Sequence, residues 1–196
     1  MNYATILERL PPETAPLILR WTQHQNVDIE LKPSRQSKLG DFRVVPGQRR
    51  ALITLNQDLG PYHMLVTLTH ELAHARVWMV SKRAKPHGRL WRQMFGNLLV
   101  ELSQISSLPA VFRQAVLTHA QSPAASTARD PNLLAVLRRL DGISGTALDE
   151  VSPGETFTFR GHEFVKLGTS RTRCKCRRTD NRLIYTIPRQ ALVKCS

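Results

Sequence analysis

The chain is short of cysteine, of acid and of long apolar runs, and each shortage removes a class of protein. Three cysteines among 196 residues, an odd count, supply no disulfide framework. Apolar residues nowhere run for the ~20 positions that a membrane-crossing helix needs. The opening MNYATILERLPPET has neither the basic start nor the apolar stretch of a secretion signal. Together these absences point to a soluble protein of a reducing compartment, the cytoplasm, with no membrane partner. Acid is the scarcest resource: 15 Asp and Glu stand against 28 Lys and Arg, a net charge of +13. An excess of that size favours polyanionic partners, nucleic acid or an anionic membrane surface.

What is present divides the chain. With 41% hydrophobic residues, 196 positions are enough for one good core and a small second domain. Helical patterns at 4–10 and 14–25 are interrupted by Pro11-Pro12. VDIELK (27–32), FRVV (42–45) and ALITLN (50–55) read as extended, the last two joined by a turn at Pro46-Gly47. A long helix should run from Pro61 to about Val80 and another should begin near Gly88, with Trp91, Met94, Phe95, Leu98 and Leu102 as its apolar stripe. A short helix from Pro109 to His119 follows, then the Ser/Ala/Pro-rich 121–131 and a last helix from Asp130-Pro131 to Leu140. From Glu155 the period becomes two, with turns at Gly161 and Asp180-Asn181, so the end of the chain reads as a small antiparallel sheet or barrel. The expected division is 1–120, a linker with a short helix at 121–150, and a basic β domain at 151–196. That last segment holds ten basic and three acidic side chains.

The chemistry sits in HELAHARVWMVSKRAKPHGRLW, residues 70–91. On a helix His70 and His74 are one turn apart and share a face, so both imidazoles can reach one ion at about 2.0–2.1 Å. Glu71 is turned about 100° away, out of ligand position but within reach of a water on the metal. That is the logic of H-E-x-x-H: zinc acidifies water and the glutamate takes the proton. A bare match arises in roughly 1% of shuffled chains of this composition, so context has to carry it. Leu65, Leu68, Leu72 and Met79 line the opposite face and Val66 and Val77 the histidine face; such a helix is buried, and two buried imidazoles without a partner would be costly.

Catalytic zinc takes three protein ligands and keeps an open position. The extended pattern with Gly and a third His on the same helix fails, because residues 77 and 80 are both Val. His87, between Pro86 and Gly88 and free to turn back, is favoured as third ligand over Glu101 on the following helix. His63, two turns upstream on the same face, reads as an outer-shell or surface histidine; His24, His119 and His162 carry no signal.

HELAHA followed by HGRLW resembles the HExxH…HGxxW pattern of SprT-like zinc metalloproteases, the domain also found in Spartan proteases. SKLGDFR (37–43) and ITLNQDL (53–59) are similar to the strand regions that precede the metal helix there. The resemblance covers about the first 110 residues. It implies one zinc on His70, His74 and His87, Glu71 as general base, and an α+β fold: a mainly helical zincin-like protease domain with a small sheet. It also implies protein substrates associated with DNA. Many relatives end in a four-cysteine zinc ribbon; Cys174, Cys176 and Cys195 do not have that spacing, and a second zinc is not expected.

In RTRCKCRR (171–178), a strand would project Arg171, Arg173, Lys175 and Arg177 from one face, roughly 6.7 Å apart, with Thr172, Cys174 and Cys176 inward. Such a row suits backbone contacts to DNA; a solvated strand face is the plainer alternative. A rival to the protease is a nucleic-acid-binding protein whose zinc is structural or idle. The two divide on Glu71, which only the protease needs.

Overall fold

The computed structural model describes residues 3–195 other than 24, 36, 46, 48 and 49. They form two compact units, one up to Gly142 and one from Ile143.

The first unit is organised around α3 (Pro61–Val80). Proline suits its first position, where an N–H would have no helical partner anyway. The cap comes from far along the chain: the Asp141 carboxylate accepts N–H bonds from Tyr62 at 2.8 Å and His63 at 3.0 Å. A Cβ on Gly60 would sit 2.3–2.6 Å from Asp141 side-chain atoms, so only glycine admits this carboxylate at the helix start. Leu65, Leu68 and Leu72 on one side and Val66 on the other are fully buried, and Val77 nearly so. Met79, expected on the buried face, is 61% exposed, because the last turn of α3 outruns the core.

The stripe of α4 (Arg89–Ser103) packs as its period requires, with Trp91, Phe95, Leu98 and Leu102 buried and Met94 half-buried. It lies between α3 and α5 (Ala110–Gln121). Before α3 come α1 (Tyr3–Leu7) and α2 (Ala15–Thr22), the latter burying Leu17, Ile18 and Trp21. The helix α6 (Pro131–Leu140) is capped by Asp130, which accepts from Leu133 N–H at 3.0 Å, and it inserts Leu133 and Leu137 into the same core. Residues 121–150 thus contribute α6 to the first unit, while Ile143 onward joins the second.

Three strands complete this unit: β1 (Val27–Lys32), β2 (Gly40–Val44) and β3 (Ala51–Asn56), in the order β1-β3-β2. β1 runs parallel to β3, and β2 pairs antiparallel with β3 from Gly40↔Leu55 to Val44↔Ala51. β2 begins two residues earlier than its apolar pattern suggests, because pairing with Leu55 and Thr54 recruits Gly40 and Asp41. Of the expected turn after it, Pro46 lies outside the described residues and Gly47 has φ 79°. Buried Asn56 ties down the approach to β2. Its Nδ2 donates to the carbonyls of Arg35 and Lys38 at 3.0 Å each, and its own N–H donates to Leu39 O at 2.9 Å.

The second unit is one antiparallel sheet in the order β4-β9-β5-β6-β7-β8. Its strands are β4 (Thr146–Ala147), β5 (Thr156–Phe159), β6 (His162–Thr169), β7 (Arg173–Arg178), β8 (Ile184–Pro188) and β9 (Leu192–Cys195). The two-residue turn between β5 and β6 has both Arg160 (φ 52°) and Gly161 (φ 79°) in the left-handed region, which matches the twist of a tight hairpin. Phe157, Phe164, Cys174, Cys176, Ile187 and Val193 form its core. Lys166 is buried there, and its ammonium donates to the carbonyls of Leu148, Asp149 and Val151 at 3.0, 3.1 and 2.6 Å, which uses all three of its protons. Among the described residues no helix is long and apolar enough to cross a membrane.

Candidate metal centre

His70 and His74 reach sideways from the middle of α3, their Nε2 atoms 3.2 Å apart. His87 comes back to them from the connection between α3 and α4, 3.1 Å from each. It does so from a left-handed backbone, φ 54°, a conformation that costs a non-glycine residue on the order of 1 kcal/mol or more. The next residue, Gly88, is the N-cap of α4, and a Cβ there would stand 2.9 Å from Lys85 O. The Pro-His-Gly sequence is therefore a turn that aims an imidazole.

Three nitrogens in mutual contact cannot satisfy one another. Each Nε2 is either protonated or a lone pair, so at least one of the three pairs must set donor against donor or acceptor against acceptor. A cation at the centre resolves the conflict if all three present lone pairs. Burial favours that state: it pushes His70 down to about 3 and His74 to about 4, with the neighbouring imidazoles adding to it, and it lowers His87 as well. Tetrahedral corners around an ion at 2.0–2.1 Å lie about 3.3 Å apart, close to the separations found. The three histidines therefore fit a metal ion.

Aromatic rings surround the cluster. Trp91 lies 4.6 Å from the ring centres of His70 and His87 and 5.3 Å from His74; Phe95 stands edge-on to His70. Phe42 of β2 lies parallel to His74 at 6.5 Å.

Glu71 lies on a different side of α3, almost fully buried under β2. Its carboxylate accepts the backbone N–H of Phe42. Burial first, then Asp41, pushes its carboxyl up to about 8, against the opposing pull of that hydrogen bond, Lys38 and Arg35. The strand sits tightly on it: a Cβ on Gly40 would be 2.7 Å from Glu71 Oε1 and 2.8 Å from Thr67 Cγ2. β2 thus touches both a histidine and the glutamate, a role that no spacing in SKLGDFR announces.

The other candidates lie elsewhere. Glu101 accepts from Trp21 Nε1 at 2.9 Å and Arg20 at 3.0 Å, with Arg76 at 3.8 Å, and does not join the three histidines. His63 faces Thr127 Oγ1 at 3.2 Å, and burial with nearby Arg138 pushes it down to about 4. His119, without signal in the sequence, is buried with Nδ1 2.7 Å from Asp130, the N-cap of α6, a partner that no periodicity reveals. His162 is exposed, and His24 lies outside the described residues. On β7, Arg173, Lys175 and Arg177 are exposed and Cys174 and Cys176 fully buried; Arg171, also exposed, precedes the strand.

Residues 15–107, from α2 to just beyond α4, match the family model described as the SprT-like family. No curated protein and no solved structure matches the chain.

Proposed function

We propose that the chain is a zinc-dependent metalloendopeptidase with a zincin-like catalytic domain, acting on proteins associated with DNA. The observation that carries this reading is the pairing of a three-imidazole cluster with a buried carboxylate on the adjoining side of the same helix. His70, His74 and His87 would hold the ion, three ligands being the number that leaves a position for substrate or water. Zinc so bound supplies Lewis acidity toward a water molecule and a peptide carbonyl. Glu71 accepts the proton of the attacking water on its free carboxylate oxygen and delivers it to the departing amine nitrogen. The Phe42 N–H holds that carboxylate in place through the cycle. Trp91 and Phe95 back the histidines with apolar surface, which favours neutral imidazoles with free lone pairs.

DNA association rests on charge. The second unit carries Arg173, Lys175 and Arg177 on one strand face with Arg171 just before it, a row suited to phosphate contacts. In this reading residues 1–120 are the catalytic domain, 121–150 join it to the basic β domain of 151–196, and the protein works in the cytoplasm.

The test is incubation of the pure protein with a DNA-bound protein substrate, with and without chelator, beside Glu71→Gln. The wild type should cleave, chelator should stop it, and the variant should keep its metal while losing cleavage. Equal cleavage by both proteins would sink the assignment of the base. Metal without any cleavage would leave a structural centre in a nucleic-acid-binding protein.

A further inference from the structure

Between Glu71 and Glu101 the sequence contains six Lys or Arg and not one Asp or Glu. The rest of the first unit is close to balanced, with twelve basic residues against ten acidic. The excess therefore belongs to a single place, the second half of α3, the connection that bears His87, and α4. Among the described residues, Arg76 alone of these six has an acidic partner, Glu101 at 3.8 Å. Lys82, Arg83, Lys85, Arg89 and Arg92 are all exposed and make no ion pair among the described residues. Lys82 lies over the Trp78 ring at 5.7 Å, and the helix end beside it leaves Met79 and Val80 in solvent.

Five like charges within eleven residues repel one another, and the fold provides no acid to offset them. We propose that this corner is a second nucleic-acid contact, holding the phosphate backbone of a strand at the His87 side of the metal centre. Five cations on long stems around one corner suit a polymer that carries a charge on every monomer. An anionic bilayer fits less well, because the exposed apolar surface here is confined to one helix end and forms no amphipathic face to insert. The corner's contact is independent of peptide cleavage and of the row on β7.

The experiment uses the full chain in four forms: wild type, a corner variant (Lys82, Arg83, Lys85 and Arg89 each to Gln), a tail variant (Arg171, Arg173, Lys175 and Arg177 each to Ala), and the two combined. Binding to a labelled DNA duplex is measured from 50 to 200 mM salt, with bound zinc and melting temperature as controls of folding. The corner variant should keep its zinc and lose roughly 10-fold or more in affinity at low salt, with its log–log salt slope flattened by roughly 2 to 3.6. The tail variant should retain a salt-dependent slope, which tests the corner even if its own variant misfolds. An unchanged slope in the corner variant, or no residual slope in the tail variant, overturns the proposal. So does a corner whose loss abolishes binding to phosphatidylserine vesicles or poly-glutamate while leaving DNA untouched. An unaffected tail variant would instead count against the β7 row alone.

Discussion

Gly40→Ala is a one-carbon probe of how the proposed base is held. The new Cβ would stand 2.7 Å from Glu71 Oε1, 2.9 Å from Glu71 Cγ and 2.8 Å from Thr67 Cγ2. Ordinary contacts between such atoms begin near 3.4–3.5 Å, so something must give by more than half an ångström. β2 is poorly free to retreat: Gly40 and Phe42 are paired with Leu55 and Ile53 of β3, and Asn56 clamps the residues just before the strand. The carboxylate is the softer partner, and its displacement strains or breaks the bond from Phe42 N–H. A hydrogen bond to a charged group contributes about 1.5–3 kcal/mol, and misplacing a reacting group by about 1 Å can cost 10²-fold in rate. We expect kcat to fall by roughly 10- to 100-fold, KM to change little, and overpacking to remove about 1–3 kcal/mol of stability. Zinc content should stay at one per chain, because the atoms nearest the new Cβ belong to Glu71 and Thr67. Peptide turnover, metal analysis and thermal melting on the same preparation decide it. Full turnover in Gly40→Ala would refute the placement of the base under β2, and loss of zinc would refute the separation of base from ligands.

Three further outcomes follow from the same geometry. His87→Ala should weaken zinc far more than Glu101→Ala, since Glu101 is committed to Trp21 and Arg20; competition with a fluorescent chelator ranks them, and the reverse order would remove His87 from the site. Asp141→Ala uncaps α3 at Tyr62 and His63 and should lower stability by about 1–2 kcal/mol in denaturant unfolding, with a wild-type result showing that water replaces the cap. His63 stays neutral in the fold down to about pH 4, whereas the unfolded chain protonates it near 6.5. The unfolded state then binds more protons, so stability falls as pH drops from 6.5 toward 4; His63→Asn should remove roughly 1–3 kcal/mol of that fall, and an unchanged pH profile would contradict the burial of its ring.

Much of this was legible because it is local. The bounds of α3, from Pro61 to Val80, follow from a proline start and from where the run of apolar side chains gives way to SKRAKP; the alternation of β7 placed Cys174 and Cys176 inside and three cations outside. Glu101 and His87 were both open as third ligands, since each lies near the start or the end of the same helix. What separates them is a backbone turn at φ 54° and a Trp21 that arrives from eighty residues earlier; neither leaves a trace in spacing. The cap on α3 from Asp141 and the His119–Asp130 pair were illegible for the same reason. Met79 shows the opposite failure, a residue that keeps the period after the neighbour it should pack against has ended.

The layout of α3 explains why several elements are needed to make one site. Adjacent positions on a helix diverge by about 100°, so the histidines and Glu71 are closed in mainly by different elements, with Phe42 of β2 reaching both His74 and Glu71. The histidine side is closed by the His87 turn and by Trp91 and Phe95 of α4. The glutamate side is closed by β2, through the Phe42 N–H and the gap that Gly40 leaves. Among the described residues β2 is an edge strand paired with β3, and β3 ends in the Asn56 that fixes the loop entering β2. The shortest continuous piece of chain that contains all of these parts runs from Arg35 to Phe95, and it falls inside the 15–107 that carry the family match. A helix used on both sides has little amphipathic character of its own. The absence of a polar face on α3, the feature that marked it as buried, goes with a helix that presents imidazoles in one direction and a carboxylate in another.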